Sequence, residues 1–141
     1  MTASREPLIA GENLPRLLGG FRTAGLPLHY THTGPLLPAD PAFQLTVYRI
    51  VQESLTNVLR YGRSLGRVDV NISRHGSAVT IEVADDGKGT VEADGTPGAG
   101  RGLAGMRERA RIYAGTVEAG RVAGSGWRVL AVLDCNGGNG N

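Results

Sequence analysis

Two runs of alternating residues, joined by a turn-forming triplet, constrain this chain more than any other feature. Gly66–Arg74 (GRVDVNISR) and Ala78–Ala84 (AVTIEVA) place apolar residues at every second position, the period of a strand with one buried face. Val68, Val70 and Ile72 share a face of the first run; Val79, Ile81 and Val83 share a face of the second. His75-Gly76-Ser77 between them predicts a tight turn, so the pair predicts an antiparallel hairpin. One apolar face of a hairpin needs cover. The preceding segment offers it: from Ala42 to Tyr61, Val47, Ile50, Val51, Ser54, Leu55 and Val58 recur at helical spacing. Asp40-Pro41 in front predicts an N-cap followed by Pro at the first helical position.

The remaining segments fit around this unit. Leu14–Ala24 carries Leu14, Leu17, Leu18 and Phe21 at helical spacing, with Gly19 and Gly20 weakening the helix and Gly25 as its stop. Leu26–Thr33 alternates and predicts a strand, placed at a sheet edge by Pro27. Gly34–Pro41 holds three prolines and predicts a loop. Asp85–Gly102 is a glycine-rich loop, Gly102–Ala114 a helix, and Thr116–Ala119 and Trp127–Asp134 are strands around Gly124-Ser125-Gly126. Strands joined by tight turns predict a mostly antiparallel mixed sheet with helices on one face: an α+β, two-layer sandwich. The expected organisation is a lead-in over 1–12, one domain over 13–134 and a flexible tail over 135–141.

Composition narrows the function classes. With 141 residues and 40% hydrophobic content, one domain with a single core is expected. Aromatics make up 5%, so that core rests on Val, Leu, Ile and Ala. The net charge of +2 comes from scattered residues, whereas a nucleic-acid surface needs a clustered stripe; no nucleic-acid partner is expected. Cys135 is the one cysteine, so no intrachain disulfide can form and a reducing, cytoplasmic setting is expected. No apolar run approaches the roughly 18 residues of a membrane span, and MTASREP is not a secretory signal.

Three stretches carry chemistry. In Asp85-Asp86-Gly87-Lys88-Gly89, an aspartate at a strand end can accept from an exocyclic amine such as adenine N6, and Gly87 and Gly89 leave room for a ring against the backbone. The bland alternative is an acidic turn. On the long helix, Glu53 and Asn57 lie four apart and face one way, so their oxygens could hold a hard cation such as Mg²⁺. Glu53 could also act as a general base or orient an attacking group, and Arg60, a turn on, could reach a phosphate. The alternative is a solvated stripe of Arg49, Glu53, Asn57 and Arg60. In Gly98–Met106, Gly100, Gly102 and Gly105 flank a helix start, where free N–H groups attract anions, and Arg101 adds charge. It is not a P-loop, for no G-K-[ST] occurs, and the antiparallel surroundings argue against a dinucleotide fingerprint. The alternative is a flexible loop.

Taken together and in order, these motifs resemble those of the ATP-binding domain shared by sensor histidine kinases, gyrase B, the Hsp90 chaperones and MutL. QESLTN is similar to the N box, DDGKG to the first glycine box (D-x-G-x-G), GRGLAGM to the second (G-x-G-L-x-G-M), and GSGW stands where the last box falls. The wording is nearest to kinases that pair with NarL-type response regulators, and it covers about Leu14–Leu133. The resemblance implies the Bergerat ATP-binding fold, with ATP and Mg²⁺ as ligands. It implies that Asp85 reads adenine N6, Gly87 and Gly89 shape the adenine wall, and Asn57 holds Mg²⁺ with Glu53 beside it. Arg60 would contact phosphate and Tyr61 would lie near the base. Gly100, Gly102, Leu103 and Gly105 would form the hinge of a phosphate lid spanning Thr90–Ala99.

Trp127 departs from the family's usual Thr and is read as a core aromatic. A larger departure is the lack of a phospho-accepting histidine: His29, His32 and His75 fall on a predicted strand and a turn, none followed by Asp or Glu. The chain is therefore expected to be the catalytic domain of a longer sensor kinase. Its direct partner would be a separate dimerisation and phospho-accepting domain, with a response regulator served indirectly, and the isolated domain would be a monomer. Two other readings stay open: a serine kinase of the anti-sigma-factor type or a stand-alone ATPase on this fold, and a non-catalytic interaction module.

Overall fold

The structure, a computed structural model, describes residues 13–62, 65–87, 99–122 and 126–137. Among them the elements run α1 (Asn13–Thr23), β1 (Leu28–Thr33), α2 (Pro41–Tyr61), β2 (Val68–His75), β3 (Ala78–Asp85), α3 (Ala99–Arg111), β4 (Thr116–Arg121) and β5 (Trp127–Asp134). The expected lead-in, the segment 88–98 that holds Gly89 and most of the expected lid, Gly124-Ser125 and the end of the tail lie outside the described residues.

The hairpin forms as the alternation predicts. β2 and β3 pair antiparallel from Val68↔Asp85 to His75↔Ala78, and Gly76 turns the chain with a φ of 62°, a conformation cheap only for glycine. Five strands make one sheet in the order β1-β2-β3-β5-β4. Three ladders are antiparallel, and β1 joins β2 in parallel from Leu28↔Val68 to Thr33↔Ser73. The parallel pair follows from the helix between them: α2 carries the chain back to the end where β1 began, as a parallel crossover requires. β1 lies at an edge, and Pro27 loses nothing there: its carbonyl accepts from Val68 N at 2.9 Å.

Register puts the apolar residues on one side. Val70, Val83 and Val129 are successive cross-strand partners, as are Ile72, Ile81, Ala131 and Val117. All are buried, and a slip of one residue in any ladder would turn that strand's set to solvent. The helices supply the second layer. Phe43, Val47, Ile50, Val51, Leu55 and Val58 of α2, Met106 and Ala110 of α3, and Leu14 and Leu18 of α1 join the same buried cluster. The opposite sheet face is polar: Asn71 Nδ2 donates to Glu82 Oε1 at 3.0 Å, and Arg128 pairs with Glu82 at 3.5 Å. The fold is the expected α+β two-layer sandwich.

Asp40 Oδ1 accepts from Ala42 N at 3.0 Å, with Pro41 opening α2. The start of α3 differs from the expected Gly102: the helix begins at Ala99, so Gly100 lies inside it rather than before it, and Gly102 and Gly105 lie well within it. Each Gly costs a helix about 1 kcal/mol relative to Ala; Met106 and Ala110, buried one and two turns on, offset that. Cys135, the first residue of the expected tail, is buried, and its N–H donates to the Ser77 carbonyl at 2.8 Å. No described helix is long and apolar enough to cross a membrane.

Ile81→Ala, at the centre of the buried face, is expected to cost about 2–5 kcal/mol. Val132→Ala, on the partly exposed face, should stay within about 0.5 kcal/mol. Urea unfolding of both variants checks the assignment of faces.

Candidate functional site

One end of the sheet collects the residues of interest. β3 ends at Asp85, β2 begins opposite it at Val68, and the chain enters β2 from the C-terminal end of α2. Trp127, the first residue of β5, pairs with Asp85 on its other side. α3 runs back along α2: Gly102 abuts Glu53, Ser54 Oγ donates to Met106 Sδ at 3.4 Å, and the Phe43 and Tyr113 rings meet edge to face at 5.0 Å. The first turn of α3 therefore flanks the C-terminal half of α2, at the same end as the tip of β3.

Asp85 is buried, and its Oδ1 accepts from Gly87 N at 2.8 Å. Burial pushes its carboxyl above the ordinary aspartate range. The Gly87 N–H opposes this, the Asp86 charge adds to it, and the Trp127 N–H opposes it again. A buried carboxylate with acceptor capacity beyond these amides suits a polar donor from a ligand. Asp86 is exposed and turns the other way: its Oδ1 accepts from Gly66 N at 2.8 Å and Arg67 N at 3.0 Å. Gly126 backs Asp85 with a φ of 101°, and a Cβ there would overlap the Asp85 carbonyl oxygen. Trp127 is half-buried against the core, as a strand aromatic should be.

On α2, Glu53, Asn57 and Tyr61 are half-buried and Arg60 is exposed. Glu53 meets α3 at Gly102, and Asn57 and Tyr61 follow it at one-turn intervals along the helix. A Cβ on Gly102 would overlap the Glu53 carboxylate, so the absence of a side chain at 102 lets the two helices meet there. Gly105 has no such neighbour. Leu103 is partly buried against the core. Gly100 lies in the first turn of α3; Gly89 and the side chain of Arg101 lie outside the described residues. Gly62 closes α2 with its N–H on the Val58 carbonyl at 2.9 Å.

Glu53 and Asn57 offer oxygens one helical turn apart, and among the described residues no three His, Cys, Asp or Glu gather as a metal cage. Two oxygen donors of this kind suit a hard cation as part of a larger set of oxygen ligands. Two hollows lie elsewhere: one of about 540 Å³ between α1 and α2, lined in part by Arg16, Phe21 and Tyr48, and one of about 350 Å³ beside Arg121 and Arg128.

Sequence reading passed over Asp86, Gly66 and the backing role of Gly126. Only the repeated aspartate and the Gly-Ser-Gly run hinted at them, because their partners are distant in the chain.

The family model for histidine kinase-, DNA gyrase B- and HSP90-like ATPases matches residues 43–136. The oxygen sensor histidine kinase NreB of Staphylococcus carnosus is 40% identical over 78 residues, which is 55% of this chain and 22% of that protein. Among solved structures, the blue-light activated histidine kinase of Erythrobacter litoralis EL346 superposes with a TM-score of 0.69 at 18% identity, over 92% of this chain and 46% of that one. The Acinetobacter baumannii histidine kinase AdeS does so with a TM-score of 0.67 at 18% identity, over 86% and 62% respectively. The chain thus spans less than two thirds of each of these relatives.

Gly126→Ala should destabilise the fold by at least about 1–2 kcal/mol, the cost of a left-handed residue with a Cβ. Gly20→Ala, in α1 with open space around it, should be neutral or stabilising by up to about 1 kcal/mol. Thermal unfolding of the two variants separates them.

Proposed function

The chain belongs to the family of histidine kinase-, DNA gyrase B- and HSP90-like ATPases, and from that premise we propose that it binds MgATP and supplies the γ-phosphoryl group to a histidine on a separate domain of a two-component sensor kinase. The observation that carries this reading is the buried Asp85 carboxylate at the tip of β3, at the same end of the sheet as Asn57 and the start of α3.

Each residue then has a physical task. Asp85 accepts a hydrogen bond from the adenine amine, and Gly87 and Gly89 leave room for the base. Tyr61, at the end of α2, lies toward the base. Asn57 and Glu53 would hold Mg²⁺, which would supply positive charge to neutralise the phosphates. Arg60 reaches the phosphates, and Gly100, Arg101, Gly102, Leu103 and Gly105 present the N-terminal turns of α3 to them. Glu53 would also orient the acceptor imidazole. A nitrogen of that ring attacks the γ-phosphorus, the P–N bond forms as the P–O bond to the β-phosphate breaks, and ADP leaves. Catalysis is then positioning and charge neutralisation.

The acceptor histidine comes from another domain in this reading. His32 Nε2 already lies 3.1 Å from the Gly34 carbonyl and 2.9 Å from that of Pro35, and His29 and His75 sit on exposed strand positions. The direct partner is a dimerisation domain bearing the histidine; a response regulator receives the phosphoryl group later, and the isolated domain is a monomer.

Asp85→Asn should weaken MgATP binding by about 1.5–3 kcal/mol, or roughly ten- to a hundredfold, by setting an amide donor against the adenine amine. Titration calorimetry reads this, and a wild-type chain with no saturable heat would refute the reading. A second outcome concerns pH. Asp85 is the stronger acceptor when ionised, and its carboxyl lies above the ordinary aspartate range. Affinity should therefore begin to fall on acidification before an ordinary aspartate would protonate, and Asp85→Asn should lack that limb.

A further inference from the structure

Asp86 is an unexpected residue to find beside a site for a polyanion. It adds a second carboxylate next to Asp85, and its charge makes Asp85 harder to ionise. Its surroundings give a reason for its presence. Asp86 Oδ1 accepts from both Gly66 N, at 2.8 Å, and Arg67 N, at 3.0 Å, and the Asp86 N–H donates to the Arg67 carbonyl at 3.3 Å. These three bonds lie just past Val68↔Asp85, the last pair of the β2–β3 ladder. They continue the pairing where the strands have ended, two of them through the Asp86 side chain. Gly66 lies close against the carboxylate: a Cβ there would stand 3.1 Å from Asp86 Oδ2. The two amides, Gly66 first, hold the Asp86 carboxyl below the ordinary aspartate range.

The segments joined in this way bear the two sides of the site. Residues 65–67 continue from the end of α2, which carries Asn57, Arg60 and Tyr61. Asp86 stands between Asp85 and Gly87, whose own hydrogen bond to Asp85 orients that carboxylate. Building on the MgATP reading above, we propose that Asp86 is a positioning residue: it fastens the loop bearing Asp85 to the loop leaving α2, and so sets where Asp85 meets the nucleotide base. The side chain is exposed and contributes nothing to the apolar core, so its task is local geometry. What the clamp needs is one acceptor oxygen aimed at two amides; the negative charge strengthens those bonds, but a neutral amide oxygen can still make them.

That distinction gives the test. Asp86→Asn keeps an acceptor oxygen and removes the charge; Asp86→Ala removes both. MgADP affinity of the 141-residue chain is measured by calorimetry, and amide exchange is followed residue by residue. Asp86→Ala should bind MgADP about five- to tenfold more weakly. It should also exchange faster at Gly66, Arg67 and Gly87, while Ile81 and Val83 in the core keep their protection. Asp86→Asn should restore affinity to within about twofold of wild type and return those three amides to slow exchange. Wild-type affinity in Asp86→Ala, or an equal loss in Asp86→Asn, overturns the inference and leaves nucleotide binding standing. A wild-type chain that does not bind MgADP overturns the MgATP reading together with this one.

Discussion

Everything at the site depends on the register between β2 and β3. With Val68 opposite Asp85, the hairpin's apolar residues fall on one face and α2 covers them, and β3 ends at Asp85, two residues past the buried Val70↔Val83 pair. The same alternation that buries Val79, Ile81 and Val83 puts Asp85 on the covered side of the sheet, because residues two apart share a face. A polar side chain is thereby carried to the rim of the core. Hydrophobic patterning, with its large and non-directional driving force, does the work of placing a group whose own interactions are few and directional.

Burial of Asp85 has a cost and a use. A carboxylate removed from water loses hydration, and two backbone N–H groups return only part of it. The acceptor capacity left over is what a ligand amine would meet, in a setting where a hydrogen bond is stronger than in bulk water. The glycines follow the same logic. Gly126 is required by the Asp85 backbone, whereas a Cβ at Gly102 or Gly66 would press on the movable ends of the Glu53 and Asp86 side chains. Each is a place where backbone approaches an acidic residue closely, whereas Gly20 and Gly105 meet nothing.

Much of the fold was legible because its signals are local. The alternation of Val68, Val70 and Ile72, the helical spacing from Val47 to Val58, the Asp40-Pro41 cap and the Pro27 edge each act within a few residues. The start of α3 was misplaced by three residues because glycine propensity, also local, was outweighed by the packing of Met106 and Ala110. The parallel pairing of β1 could not be read, since a strand's own pattern does not name its neighbour. In the site, Asp85 and Gly87 stood out through their motif. Asp86 did not, because the amides it binds belong to Gly66 and Arg67, on the far side of the hairpin.

The sequence by itself determined which residues are inside, where the chain turns, and the family to which the motifs point, since each rests on residue type and short-range spacing. Tertiary structure alone decided that the Asp86 carboxylate would meet the amides of Gly66 and Arg67. Alternation turns Asp85 to the covered side and Asp86 away from it, but which segment lies opposite Asp86 is set by cross-strand register, which no run of neighbouring residues encodes.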